Sequence, residues 1–124
     1  MNPPPGDAIA ILRAFGDCLA RGDADGAAAL FTPDAIYEEP PAHTFTGRDA
    51  LRAFIADFAA RHTAVSLTIQ RALPSTTGNL LAAEWRWAYT RTIDGTRRIF
   101  DGISFIELHD GLITHWRGYS ARLE

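Results

Sequence analysis

Apolar residues in the first half of the chain recur at the spacing of amphipathic helices. The first helix is predicted to take Asp7 as its N-cap and to end near Arg21. A short second helix is predicted to open at Asp23 and to end near Phe31, and a third helix is predicted over 48–61. The apolar residues that define the first and third helices are Ile9, Leu12, Phe15, Leu19, Leu51, Phe54, Ile55 and Phe58.

The rest of the pattern predicts strands. A short strand over 35–39 ends at the Pro40-Pro41 pair, because proline cannot donate to a sheet ladder. Beyond His62 the alternation of apolar and polar residues is typical of antiparallel strands, with hairpin turns at Asp94-Gly95 and Asp110-Gly111. These strands are predicted over 65–73, 80–93, 97–109 and 112–123. Helices followed by an antiparallel meander predict an α+β domain.

Composition and charge narrow the class of protein. The 124 residues, 47% of them hydrophobic, predict one globular domain over 7–124 after a disordered tail over 1–6. A net charge of −3 and scattered arginines argue against a nucleic-acid partner and against a basic patch for membranes. The single cysteine, Cys18, is interpreted as a small core residue, and no residue spacing is typical of metal ligands. No apolar run approaches the ~18 residues of a membrane span. We therefore expect a cytoplasmic protein without a metal or another cofactor.

Five short motifs are spread over most of the chain. They are Arg21-Gly-Asp-Ala-Asp-Gly26, Leu30-Phe-Thr-Pro-Asp34, Gly47-Arg-Asp49, Ile103-Ser-Phe-Ile-Glu-Leu-His-Asp-Gly111 and Ile113-Thr-His-Trp-Arg117. Together they resemble the SnoaL-like branch of the nuclear-transport-factor-2-like superfamily, which includes ketosteroid isomerase, limonene epoxide hydrolase and polyketide cyclases. The resemblance implies a conical half-barrel, in which a curved antiparallel sheet wraps around three N-terminal helices. It also implies a pocket inside the cone for a small apolar molecule, and a homodimer across the sheet.

Ketosteroid isomerase is the first relative whose functional residues can be carried over. Glu39 matches the position of its general-base aspartate. Phe15 and Ser104, however, stand where the isomerase keeps the tyrosine and the neutral aspartic acid of its oxyanion hole. The resemblance therefore supports a base at Glu39 and argues against steroid isomerisation.

Limonene epoxide hydrolase is the second relative compared in this way. Tyr37, Glu39 and Arg86 match a tyrosine, an asparagine and an arginine of its site. Its two essential aspartates correspond to Ala88 and Gly118, neither of which can activate water. Efficient hydrolysis of simple terpene epoxides by that mechanism is therefore not expected.

Each strand has two faces, and both carry apolar residues, so periodicity alone leaves open which face lines the pocket. The resemblance assigns to the interior a catalytic set with Glu39 as general base and Tyr37 or Arg86 stabilising developing negative charge. The interior residues predicted to bind the ligand are Phe15, Leu19, Glu84, Phe100, Ser104, Ile106, Trp116 and Ser120. The outward residues predicted to form a dimer surface are Trp85, Trp87, Tyr89, Ile103, Phe105 and Tyr119.

The polar residues also allow purely structural interpretations. Glu39 could be a solvated carboxylate at a strand end, and Tyr37 could be a core aromatic residue with its hydroxyl at the rim. Arg86 could simply neutralise Glu84 on the same face of its strand. His43 could line the mouth of the pocket, although an exposed loop position is the preferred interpretation.

Two kinds of function follow from these residues. One is a cofactor-independent acid–base enzyme that acts on a small apolar substrate, cyclic or polyketide- or terpenoid-like. Isomerisation, cyclisation, dehydration and hydrolysis all remain open for such an enzyme. The other is a non-catalytic domain of the same fold that binds a small molecule or dimerises. A pocket that reaches Glu39 and excludes water would favour the enzyme.

Overall fold

The structure, a computed structural model, describes residues 5–124. Its elements are α1 Pro5–Arg21, α2 Ala24–Ala28, β1 Phe31–Glu39, β2 His43–Thr46, α3 Arg48–Arg61, β3 His62–Pro74, β4 Leu80–Arg91, β5 Arg97–His109 and β6 Leu112–Arg122. Residues 1–4 of the predicted tail lie outside the described residues. Helix α1 begins at Pro5, two residues before the expected cap at Asp7. Proline suits a first helical turn because its missing N–H would have no helical partner there.

The strands form one curved sheet in the order β2-β1-β6-β5-β4-β3, and this sheet does not close into a barrel. Neighbouring strands are antiparallel except β1 and β6, which run parallel. Helix α1 packs mainly against β3, while α3 packs against α2, β1 and β2. These features confirm the predicted α+β class and half-barrel arrangement. None of the helices in the described part of the chain is long and apolar enough to cross a membrane.

The sequence pattern missed two features of the sheet. Strand β1 begins at Phe31 rather than at residue 35, and β2 occupies part of the expected loop. Pro33 is tolerated in β1 because pairing with β6 is irregular between Phe31 and Ile36, where no regular ladder bond is lost. Strand β2 has only four residues, too few for an alternating pattern to stand out.

The core lies between α1 and the inner face of the sheet. The ring centroid of Phe15 in α1 lies 5.3 Å from those of Phe31 in β1 and Trp116 in β6. All three side chains are 1% exposed or less, and burying each stabilises the fold by about 1.5–3 kcal/mol. Cys18 is buried on the same helix, in the core position expected for it.

The register between β4 and β5 decides which face of β4 lines the interior. Residues directly opposite each other in antiparallel strands share a face, and here Trp85 pairs with Gly102 and Trp87 with Phe100. A Cβ on Gly102 would lie 2.3 Å from Cη2 of Trp85, so the glycine leaves the room that this indole occupies. The aromatic residues of β4 therefore face inward, and the alternate residues face outward.

Candidate functional site

A cavity of about 340 Å³ lies between the helices and the inner face of the sheet. Its lining consists mainly of aromatic and aliphatic side chains from α1, α3, β1 and β3 to β6. The lining residues are Phe15, Leu19, Tyr37, Glu39, Pro40, Pro41, Ala42, His43, Leu51, Phe54, Ile55, Phe58, Leu67, Trp85, Trp87, Tyr89, Phe100, Trp116, Gly118 and Ser120. All three tryptophans of the protein belong to this set. An apolar concavity with a few polar groups is the usual form of a small-molecule site.

Three polar side chains form a connected array in the cavity wall. Tyr37 and Glu39 are two residues apart in β1 and therefore point to the same face. The β1–β2 pairing sets His43 directly opposite Glu39, with 3.2 Å between Nε2 of His43 and Oε1 of Glu39. An ionised carboxylate only accepts hydrogen bonds, so Nε2 of His43 is the donor in this contact.

Aromatic neighbours hold the two ends of the array in place. The Tyr37 ring stacks on Trp116 with 5.3 Å between centroids. The His43 ring lies 5.3 Å from Phe45 and 5.0 Å from Phe54. The side chains of Glu39 and His43 remain 27% and 34% exposed, so the array joins the buried cavity wall to solvent.

The electrostatics of the array keep Tyr37 protonated. Burial raises the pKa of Tyr37 well above its ordinary value of 10.0, and the charge of Glu39 and a hydrogen bond to it raise that pKa further. Tyr37 is thus a hydrogen-bond donor at physiological pH. Among the described residues that line the cavity, Glu39 is the only acid, and none is an arginine or a lysine.

The structure brings together most of the predicted ligand-binding residues. Phe15, Leu19, Phe100, Trp116 and Ser120 line the cavity together with Tyr37 and Glu39.

Two other predicted ligand-binding residues lie in the core rather than in the cavity wall. Ser104 is 0% exposed and Ile106 is 1% exposed, and neither is among the lining residues. Both face the interior from β5, where the packing around Trp85 and Trp116 covers them. Ser104 is held in place by a hydrogen bond of 2.9 Å that its Oγ accepts from Nε1 of Trp85.

The predicted interior positions of Arg86 and Glu84 are wrong. Arg86 points to the outer face and forms a bidentate ion pair with Asp101, with distances of 2.8 and 3.0 Å. Glu84 lies on the same outer face and pairs with Arg71 at 2.6 Å. The alternative that Arg86 neutralises Glu84 is not what the structure has, because each charge has another partner. Both pairs are well exposed to solvent, where ion pairs contribute little to stability.

The predicted aromatic dimer surface is wrong for its β4 residues. Trp85, Trp87 and Tyr89 line the cavity and do not face outward. Exposed apolar residues on the outer face of β5 and β6 are Ile103, Phe105 and Tyr119. The homodimer itself stays a prediction, now supported by this smaller patch alone.

His43 is a functional candidate for which the sequence offers two positions. The preferred interpretation, an exposed loop residue, is wrong: His43 lines the cavity, as in the alternative, because the hairpin folds it back onto Glu39. The alternation of His43-Thr-Phe-Thr46 marks strand β2, but four residues are too few for this pattern to stand out in the sequence. Within the described residues, no group of three or more histidine, cysteine, aspartate or glutamate side chains is placed to hold a metal ion.

Solved structures with the same fold include several enzymes. An LEH-like epoxide hydrolase from M. tuberculosis superposes with a TM-score of 0.84 at 24% identity, covering 96% of this chain and 86% of that one. Delta 5-3-ketosteroid isomerase from Mycobacterium sp. gives a TM-score of 0.81 at 23% identity, covering 94% and 98%. An epoxide hydrolase/cyclase-like enzyme with a role in pyran ring formation in the polyether salinomycin superposes with a TM-score of 0.80 at 19% identity. The match covers 92% of this chain and 90% of that one. At these identities the likeness establishes the fold alone.

The sequence comparisons identify the family. No curated protein sequence matches this chain. Residues 12–116, however, match the SnoaL-like domain family over most of the chain. The protein is therefore a member of the SnoaL-like domain family.

Proposed function

We propose that the protein is a cofactor-independent acid–base enzyme in which Glu39 is the general base. The observation that carries this proposal is the array of Tyr37, Glu39 and His43 in the wall of an apolar cavity. A base must lie within hydrogen-bond reach of the substrate and must hold its lone pairs in a fixed direction. The hydrogen bond from His43 directs the Glu39 carboxylate in this way, and Tyr37 lies beside it on the same face of β1.

The roles of the other two members follow from their protonation and exposure. Tyr37 keeps its proton because its pKa is raised, so it donates a hydrogen bond and does not act as a second base. His43 is partly exposed and contacts Glu39, so it can exchange protons between the carboxylate and solvent. Arg86 has no part in this mechanism, because it lies on the outer face.

The charge and size of the cavity define the substrate class. A buried anion would meet the Glu39 carboxylate without a compensating arginine or lysine, which makes binding of an anion unfavourable. A neutral, apolar, cyclic molecule fits the aromatic walls, and 340 Å³ lies in the range of cavities that hold small ligands. Isomerisation, cyclisation, dehydration and hydrolysis are all proton-transfer reactions that such a site supports.

The proposal is tested with Glu39→Gln, which keeps the shape of the side chain and removes its basicity. A panel of cyclic ketones, lactones and epoxides is incubated with the wild-type protein, and products are followed by mass spectrometry. For any substrate that is turned over, we expect Glu39→Gln to lower kcat about 10²–10⁴-fold while ligand binding is retained. Binding is followed by tryptophan fluorescence, because all three tryptophans line the cavity.

Arg86→Ala is the matched control, since it removes a charge from the outer face of β4 and leaves the cavity intact. We expect it to keep the wild-type rate. Turnover that survives in Glu39→Gln would remove Glu39 from the role of base. Ligand binding by the wild type without turnover of any panel member would instead support the non-catalytic binding domain.

A further inference from the structure

Two arginines continue the inner face of the sheet where the cavity ends. Residues directly opposite each other in antiparallel strands share a face. Arg98 of β5 lies opposite Tyr89, and Arg122 of β6 lies opposite Phe100. Tyr89 and Phe100 both line the cavity, so the two arginines stand on the same inner face at its rim. We call Arg98 and Arg122 the arginine pair.

The acids near the arginine pair do not neutralise it. Arg122 makes no hydrogen bond or ion pair with any other residue of the described chain. Arg98 donates only to a neighbouring backbone carbonyl, at 3.5 Å. Asp94 feels the charge of Arg98 at longer range, but its ion pair is with Arg91 at 3.7 Å. Glu124 is exposed and forms no ion pair within the described part of the chain. The rim is therefore electropositive.

The cavity wall at this end adds hydroxyl groups without protein partners. The ring of Tyr89 is held at 5.1 Å from the ring of Phe58 and at 4.7 Å from that of His62, both in T-shaped contacts. The hydroxyl groups of Tyr89 and Ser120 make no hydrogen bond with another described residue. Each can donate to an acceptor on a ligand. This end of the cavity therefore offers donors and positive charge to a bound molecule.

The base and the arginine pair are far apart along the sheet. The pairing of β1 with β6 sets Glu38 opposite Arg117, so Glu39 is level with Gly118. Arg122 is four residues further along β6, which is about 13 Å at about 3.3 Å per residue. A molecule that touches both Glu39 and the arginine pair must be elongated, and the aromatic wall lies along the part between them.

We propose that the arginine pair binds a carboxylate at one end of an otherwise apolar substrate. The forked guanidinium group matches the two oxygens of a carboxylate. The carboxylate stays at the rim in contact with water, so it avoids the cost that an anion buried beside Glu39 would meet. The charges also set the direction of binding, because a carboxylate is attracted by the arginine pair and repelled by Glu39. This inference rests on the proposed function, since it narrows the substrate class of the same site, but its binding test needs no turnover.

The test compares a carboxylate with an uncharged molecule of nearly the same shape. The probes are 6-phenylhexanoate and 6-phenylhexanamide, and their affinities for the wild-type protein are measured by calorimetry. We expect the carboxylate to bind about tenfold more tightly at low ionic strength, as two exposed ion pairs would give. Salt at about 1 M should remove most of this preference, because it screens exposed charges. Equal affinities of the two probes at low ionic strength would overturn the proposal.

Variants locate the source of the preference. Arg98→Gln and Arg122→Gln should each lower the ratio of the two affinities about threefold, and the double variant should bring it close to one. The affinity for the amide should stay at the wild-type value, which also shows that the cavity is intact. Arg13→Gln is the matched control, because it removes the same charge from an exposed position of α1. Arg13 is two residues from Phe15 and therefore points away from the cavity. A ratio that persists in the double variant, or that falls equally in Arg13→Gln, would contradict the proposal.

The two proposals fail in different ways. If Glu39→Gln turned substrate over at the wild-type rate, the base assignment would fail while the preference for the carboxylate still depended on the arginine pair. If the arginine pair did not bind the carboxylate, the ratio would not change in Arg98→Gln or Arg122→Gln, whatever the behaviour of Glu39→Gln.

Discussion

Replacing Gly102 by alanine tests the packing that directs the aromatic residues of β4 into the cavity. The added Cβ would lie 2.3, 2.6 and 2.7 Å from Cη2, Cζ2 and Cζ3 of Trp85. Carbon atoms in contact are normally about 3.5–4.0 Å apart, so the indole has to move. It is 3% exposed and hydrogen-bonded to Ser104, so the movement displaces neighbours and strains that bond.

The expected cost can be assembled from these contacts. Overpacking of this kind costs about 1–3 kcal/mol, and loss of the Trp85–Ser104 hydrogen bond adds about 0.5–1.5 kcal/mol. Alanine restricts the unfolded chain more than glycine does, which returns about 0.4–1 kcal/mol. We expect Gly102→Ala to lower the free energy of unfolding by about 0.5–4 kcal/mol, with a central value of about 2 kcal/mol, in urea titrations followed by circular dichroism.

A double-mutant cycle isolates the cause. Trp85→Phe removes the benzo-ring atoms that the new Cβ would meet, so in that background Gly102→Ala should cost nothing or stabilise slightly. The coupling free energy between the two positions should reach at least about 1 kcal/mol, as expected for residues in direct contact. Additive effects, or a Gly102→Ala protein as stable as the wild type, would refute the packing argument.

Two further predictions concern the outer face of the sheet. In β6, Nε2 of His115 lies 2.5 Å from Oε2 of Glu38, and its Nδ1 lies 3.0 Å from Oε2 of Glu107. The hydrogen bond between His115 and Glu38 raises the pKa of His115 and lowers the pKa of Glu38. Stabilisation by His115 is lost as the pH rises through its raised pKa, and stabilisation by Glu38 is lost as the pH falls through its lowered pKa. The wild type should therefore exceed His115→Asn in free energy of unfolding by the largest amount between pH 4.5 and pH 6.5, which are the ordinary pKa values of Glu38 and His115. Urea titrations that give the same difference at every pH from 4 to 9 would contradict this. We also expect a homodimer through the patch of Ile103, Phe105 and Tyr119, so Phe105→Asp should yield a monomer in light scattering at micromolar concentration; a wild-type protein that is already monomeric there would rule this dimer out.

Local patterns in the sequence were sufficient for the elements and for part of the site. Apolar spacing located α1 and α3, because a helix buries one stripe of side chains. The Asp94-Gly95 and Asp110-Gly111 pairs located both C-terminal hairpins, because their residues tolerate positive φ. The shared face of Tyr37 and Glu39 also followed from sequence, since a strand repeats every two residues.

The sequence held one further clue that periodicity alone does not use. When a hairpin loop has an even number of residues, each odd-numbered residue of β4 lies opposite an even-numbered residue of β5. Opposite residues share a face of the sheet, so Trp85 and Trp87 lie on the same face as Gly102 and Phe100. The two-residue loop expected at Asp94-Gly95 and the observed pairing both satisfy this rule. Applied across the hairpin, it would have placed Arg86 on the outer face.

Other features were decided only when distant segments met. A bulge between Glu107 and Leu108 shifts the β5–β6 register by one residue, and this shift sets Trp116 opposite Ile106 on the inner face. The hairpin of β1 and β2 brings His43 onto Glu39, and the packing of β5 against β6 leaves the Trp116 donor unpaired beside Gly118. The sequence by itself determined which residues share a face within each element, because that depends on local backbone geometry. The tertiary structure decided which faces meet around the cavity, because register and bulges are set by pairing between strands far apart in the chain.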